Sequence, residues 1–219
     1  MDRSERDLRR EIIAQCLAMT ASGLNHGTSG NISARHGDRL LITPSATPYD
    51  AMEPEMIASM PLDGDGAWEG PLKPSTEWRF HFDIMAVRPD VSAIVHTHPT
   101  FATALAINRQ EIPACHYMIA AFGDRRIRCS GYARYGTAEL SETAVEALGP
   151  RMGCLLANHG AIAVGPTLPK TMWLAEELET LARQYWHALQ VGTPVILSDE
   201  QIRETMEAFG SYGLQDPED

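Results

Sequence analysis

Short apolar runs that alternate like β-strands are joined in this chain by very tight turns, and this restricts the fold more than any other feature. Ile32-Ser33-Ala34-Arg35-His36 alternates with a period of two, Gly37-Asp38 offers a hairpin turn, and Leu40-Leu41-Ile42 runs back. Strands linked by so short a turn lie antiparallel. Residues 57–70 read as another strand pair, with Asp63-Gly64-Asp65-Gly66 at its turn. Residues 93–98, 154–157 and 161–164 read as further strands.

Helical spacing separates these runs. Leu8, Ile12, Ile13, Cys16, Leu17 and Met19 predict an amphipathic helix over 4–21. A second helix opens at Ser75-Thr76-Glu77 and stops near Arg88-Pro89-Asp90. Others are expected near 100–107 and 137–148, and the longest over 169–190, with Trp173, Leu174, Leu178, Leu181, Tyr185 and Leu189 on one face. The alternation predicts one α/β domain over 1–219, with a mixed or largely antiparallel sheet covered by helices and a mobile polar tail from about residue 207.

Composition narrows the function. With 18 Lys and Arg against 29 Asp and Glu, the net charge of −11 argues against a nucleic-acid partner, which needs a basic face. The start of the chain has no apolar signal-like stretch, and no run is long and apolar enough for a bilayer, so neither membrane nor export is expected and the cytoplasm is. Cys16, Cys115, Cys129 and Cys154 are scattered and read as buried thiols.

The sharpest chemical signal is His96-Thr97-His98. On a strand, residues two apart share a face, so both imidazoles can reach one ion from a rigid support. Two polar residues at a strand end are an equally good reading of that pair alone. His159, where the apolar run 154–157 meets Asn158-His159-Gly160, is the candidate third ligand, although a lone histidine of this kind is more often a turn residue. Glu77, in the first turn of its helix, is either a capping acid or a carboxylate at the mouth of a metal site. Three imidazoles leave a divalent ion its full charge and an open position, suited to Lewis-acid work on a carbonyl. The loop Gly27-Thr28-Ser29-Gly30-Asn31 and the pair Ser75-Thr76 before a helix suit an anion such as phosphate, but each alone is better explained by turn and cap chemistry.

Taken together, these stretches resemble the class II aldolase/adducin family. The matching segments include Gly23-Leu24-Asn25-His26-Gly27-Thr28-Ser29-Gly30-Asn31, Leu41-Ile42-Thr43-Pro44, Ser75-Thr76-Glu77-Trp78-Arg79-Phe80-His81 and Val95-His96-Thr97-His98. Further on come Ile112-Pro113-Ala114-Cys115-His116-Tyr117-Met118, Tyr132-Ala133-Arg134-Tyr135-Gly136-Thr137, Asn158-His159-Gly160 and Ser211-Tyr212-Gly213-Leu214, in the family's order over nearly the whole chain.

The resemblance implies a three-layer α/β/α fold around a central, mostly antiparallel mixed sheet. It implies an aldolase that cleaves a ketose 1-phosphate to dihydroxyacetone phosphate and an aldehyde. Zinc would be held by Glu77, His96, His98 and His159, with manganese, cobalt or iron(II) as possible substitutes. Thr28, Asn31, Thr43, Ser75 and Thr76 would bind the substrate phosphate. Glu77, Tyr117 and Tyr212 would be catalytic, in a homotetramer whose active sites lie between subunits, with Tyr117 coming from the neighbouring chain. Lysine chemistry is disfavoured, since Lys73 and Lys170 are the only lysines and neither lies in an apolar stretch.

The phosphate turn departs from the family pattern. Ala46 follows Thr43-Pro44-Ser45 where glycine is usual, and alanine resists a positive φ. Pro99, Phe101 and Tyr135 also differ from the fuculose enzyme, which opens the aldehyde end to apolar tails. L-fuculose, 5-deoxyribulose and 5-methylthioribulose 1-phosphates are all candidates. A pentulose-phosphate epimerase, dehydratase or decarboxylase of the same family remains the alternative, and a non-catalytic adducin-head-like module the remote one.

Overall fold

The computed structural model describes residues 3–209, and of Arg3 the backbone only. Six α-helices and eight strands are present among them: α1 (Arg3–Ala21), β1 (Asn31–His36), β2 (Arg39–Ile42), β3 (Ala58–Pro61), α2 (Trp78–Val87), β4 (Ala93–Thr97), α3 (Thr100–Ile107), β5 (Ile112–Pro113), β6 (Arg126–Cys129), α4 (Ala138–Leu148), β7 (Gly153–Leu156), β8 (Gly160–Gly165), α5 (Leu168–Val191) and α6 (Asp199–Phe209). The strands form one sheet in the order β3-β2-β1-β4-β8-β7-β6-β5. Every pairing is antiparallel except β6 with β7.

Strand alternation divides the core in two. Ala93 and Val95 of β4, with Ala161 and Ala163 of β8, turn to the face covered by α1, α3 and α5. Ile94 of β4, with Ile162 and Val164 of β8, turns to the face covered by α2 and α4. The result is the expected three-layer α/β/α arrangement around a mixed, mostly antiparallel sheet.

At the centre of the sheet β4 lies between β1 and β8. Asn31 opposes His96 on one side, and Ile162 opposes it on the other. Thr97 opposes Ala161, so the end of β4 lies beside the start of β8. The connection from β7 is a tight turn in which the His159 N–H donates to the Leu156 carbonyl over 3.0 Å. Asn158 sits in the left-handed region at φ 55°, which asparagine tolerates better than most residues. Gly160 follows because nothing larger fits: a Cβ there would lie 2.5 Å from the Thr97 carbonyl oxygen and 2.6 Å from the His98 ring. The sequence Asn-His-Gly is thus the local solution to presenting His159 against β4.

Several expectations change. The strand pair over 57–70 is reduced to β3 and one isolated bridge, Ser59 with Glu69. Gly66 at φ 96° and Gly70 at φ 132° break the extended run on either side of that bridge. Trp173 and Leu189 of α5 are partly exposed instead of facing the core, and the Lys170 ammonium stacks 3.7 Å from the Trp173 ring centroid. The buried face of α5 is carried by Leu168, Met172, Leu174, Ala175, Leu178, Leu181 and Ala182. Only Cys16 and Cys154 of the four thiols are fully buried, and all four are free. The segments β5, β6 and α6 had no counterpart in the sequence reading. The tail expected from about 207 overlaps the last turn of α6, and residues 210–219 lie outside the described residues.

The close approach at Gly160 gives a test of this packing. Gly160→Ala is expected to destabilise the protein by about 1–3 kcal/mol in urea unfolding, because β4 and β8 must move apart. An unchanged midpoint would show that the two strand ends are not held this tightly.

Candidate active site and metal centre

Four side chains converge where β4 ends. Glu77, His96, His98 and His159 each offer one ligand atom, and these atoms lie within 4.8 Å of one another. His96 comes from the central strand, His98 from just beyond its end, His159 from the β7–β8 turn, and Glu77 from the residue preceding α2. The three imidazole centroids are 4.8–4.9 Å apart in edge-on arrangements. Glu77 Oε2 is 3.2 Å from His96 Nε2, and Oε1 is 3.1 Å from His159 Nε2.

The donor set fits a divalent cation. His96 Nδ1 donates to the Ala161 carbonyl over 3.0 Å, which leaves Nε2 as a lone pair aimed into the cluster. That lone pair meets His98 Nε2 at 2.9 Å. Glu77 Oε1 is buried and accepts no hydrogen bond among the described residues. Nitrogen lone pairs and a carboxylate oxygen directed at one point form an arrangement that a cation relieves. Burial opposes ionisation of Glu77, but its contacts with His96 and His159 outweigh this. Its carboxyl is held well below the usual carboxylate range. The His98 pKa is pushed down to about 3, by burial first and then by His96 and His159, which keeps its ring neutral.

Glu77, His98 and His159 of the cluster line a cavity of about 430 Å³, with His96 buried behind them. Thr28, Asn31, Ser75 and Thr76, four of the five residues expected around a phosphate, line it together with Glu77, His98 and His159. Thr28 and Thr76 are exposed to it, whereas Ser75 Oγ is engaged locally, accepting from the Glu77 N–H over 3.3 Å. Thr43 is not in the wall. It is buried behind it, its Oγ1 accepting from the Ile32 N–H and its carbonyl from the Ser75 N–H, so that it ties the two loops together. Buried Tyr49, which the sequence did not single out, braces the first loop by donating from its hydroxyl to the Gly30 carbonyl over 2.6 Å.

Tyr132, Ala133, Tyr135 and Asn158 also line the cavity. Tyr117 does not reach it: it is half exposed on a 3-10 helix (Tyr117–Phe122) and lines a separate hollow with Trp173 and Phe209. Tyr212 lies outside the described residues. His81 had no role in the sequence reading, yet it is fully buried beside the site and bonded to Asn31. Its signal was a polar residue four places after Glu77, on the face of α2 that also carries Phe80, Ile84 and Met85 inward.

This sheet and this cluster are those of the class II aldolases. Residues 10–186 match the family described as Class II Aldolase and Adducin N-terminal domain, and the chain belongs to it. It is an enzyme of the metal-dependent aldehyde-lyase class, and membership implies a divalent metal. The chain is 50% identical to a 5-methylthioribulose-1-phosphate/5-deoxyribulose-1-phosphate aldolase of Rhodospirillum rubrum, over 94% of this chain and 92% of that one. It is 47% identical to an L-fuculose phosphate aldolase of Escherichia coli (strain K12), over 95% and 96%. A solved L-fuculose 1-phosphate aldolase superposes with a TM-score of 0.90 at 36% identity, covering 93% of this chain and 96% of that one.

The turn at Ala46 keeps the geometry that glycine would adopt. Its φ is 52°, and it lines the cavity beside Pro44 and Ser45. A left-handed alanine carries a backbone cost that glycine avoids. Ala46→Gly is therefore expected to stabilise the protein by about 1 kcal/mol, and Ala46→Val to destabilise it further. Equal thermal midpoints for all three proteins would contradict a left-handed turn here.

Proposed function

We propose that this chain is a zinc-dependent aldolase that reversibly cleaves a ketose 1-phosphate to dihydroxyacetone phosphate and an aldehyde. The observation that carries the reading is the cluster of one carboxylate and three histidines, of which Glu77, His98 and His159 line a cavity whose rim offers hydroxyls and the start of a helix. A divalent ion bound there would supply positive charge to the electron pair left on the dihydroxyacetone phosphate fragment when C3–C4 breaks.

The chain's own groups handle binding and protons. The Thr28 and Thr76 hydroxyls, beside the start of α2, suit the phosphate, with Asn31, Thr43 and Ser75 shaping the loops that carry them. In condensation the ionised Glu77 carboxylate takes the proton from the carbon that becomes C3, and Tyr117 gives one to the new C4 oxygen. Cleavage reverses both transfers: Tyr117 takes the C4 hydroxyl proton, and Glu77 returns a proton to C3. Tyr117 lies away from the cavity of its own chain, in keeping with a homotetramer in which a neighbouring subunit supplies it. Tyr212 would close the site from the C-terminal segment.

Tyr132, Ala133 and Tyr135 line the cavity and would wall the aldehyde end. That wall, together with the similarity to the methylthioribulose-type enzyme, favours 5-methylthioribulose and 5-deoxyribulose 1-phosphates over L-fuculose 1-phosphate. Such a role belongs in the cytoplasm, where sugar phosphates are turned over.

The test is a coupled assay for dihydroxyacetone phosphate release from these three substrates, with and without EDTA. Release abolished by EDTA and restored by zinc is expected, with Glu77→Gln losing about 100-fold or more in kcat. No release from any substrate by the metal-loaded protein would contradict an aldolase and favour the epimerase, dehydratase or decarboxylase chemistry of the same scaffold.

A further inference from the structure

Behind Glu77 runs a line of buried polar side chains. Ser33 on β1 and His81 on α2 are fully buried, and Asn31 on β1 is 4% exposed. Ser33 Oγ lies 2.7 Å from His81 Nδ1, His81 Nε2 lies 2.5 Å from Asn31 Oδ1, and Asn31 Nδ2 lies 3.0 Å from Glu77 Oε2. Chemistry gives the line one direction. A carboxylate oxygen only accepts, so the Asn31 amide must turn its NH₂ to Glu77 and its oxygen to His81. His81 then carries its proton on Nε2, and its bare Nδ1 accepts from the Ser33 hydroxyl. Burial keeps this ring neutral, as the line requires.

We propose that Ser33 and His81 are positioning residues that act through Asn31 to fix the Glu77 carboxylate, engaging Oε2 and leaving Oε1 as the atom that meets the metal and carries the proton. Oε1 is the buried oxygen that accepts no hydrogen bond among the described residues, and it faces His159 at 3.1 Å, while Oε2, which takes the Asn31 amide, lies 3.2 Å from His96 Nε2. The Asn31 side chain, which also lines the cavity, is engaged in this line. One amide hydrogen is given to Glu77, and the other faces the Ser29 carbonyl at 3.5 Å. Burying three neutral polar groups behind an acid is costly unless each is bonded, and here each hydrogen bond depends on the next.

This inference rests on the reading of Glu77 as a metal ligand, and the experiment separates the two. Full-length protein stripped of metal is titrated with zinc against a chromophoric chelator, and the cobalt-substituted form is read by its visible spectrum. Wild type is compared with His81→Leu, His81→Gln and Ser33→Ala, with kcat and KM for dihydroxyacetone phosphate release at saturating zinc.

His81→Leu is expected to weaken zinc binding about 10-fold or more, to change the cobalt spectrum, and to lower kcat more than it raises KM. His81→Gln keeps an amide donor near the Nε2 position and is expected to recover zinc affinity to within about threefold of wild type. Ser33→Ala, the smallest change, is expected to fall between them and carries the test if His81→Leu fails to fold. Variants that melt earlier yet match wild type in zinc affinity, cobalt spectrum and kcat would overturn the positioning role alone. A wild-type protein that binds neither ion would overturn it together with the metal-site reading.

Discussion

The antiparallel pairing of β4 with β8 is the contact on which everything else depends. It places Thr97 against Ala161 and so brings the end of one strand beside the turn that begins the other. His96 and His98 belong to the first, His159 to the second. A shift of one residue in this register would send His96 to the opposite face of the sheet, among the apolar side chains of α1 and α5. The register is specified by burial on both faces. Ile94, Ile162 and Val164 are wholly buried towards α2 and α4, and Val95 towards the other side. Gly160 tightens the pairing further, since the His98 ring occupies the space a side chain would need.

Onto this frame α2 brings the only acid of the cluster. Glu77 is 6% exposed, faces two imidazoles at the front and is braced from behind by the Asn31 amide. A carboxylate so held stays ionised, ready to ligate a cation or accept a proton, and it does not need the wide solvation that an exposed acid relies on. The same loops that hold Glu77 also shape the anion-friendly rim: Thr43 joins Ile32 to Ser75, and Tyr49 joins α1's exit loop to Gly30. The His/Glu cluster and the hydroxyl-bearing rim are therefore one mechanical unit.

The central features were legible because they follow from short-range rules. The period of two put His96 and His98 on one side of a strand, and Gly37-Asp38 marked the β1–β2 hairpin. What escaped the sequence depended on partners distant in the chain. Strand β6 is four residues long, Arg126–Cys129, with alternating arginines, and becomes a strand only by lying parallel to β7. The strand expected near Trp68 and Glu69 is dissolved by flanking glycines whose angles no composition reveals. Thr43 was expected at the cavity but lies behind its wall, and Thr43 and Asn31 also make hydrogen bonds over 11 and 46 residues of chain that brace the site, which no local pattern reveals. His81 passed as one more residue of a helix, since its partners lie on β1, 48 and 50 residues away.

The central claim is that three histidines and one carboxylate of this chain hold a single divalent ion. X-ray absorption at the metal edge of the purified, zinc-loaded protein tests it most directly. About one ion per chain is predicted, with three imidazole nitrogens near 2.0–2.1 Å, oxygen filling the rest of the shell, and one nitrogen lost in His159→Ala. A sulfur shell at about 2.3 Å, or no retained ion, would contradict the account.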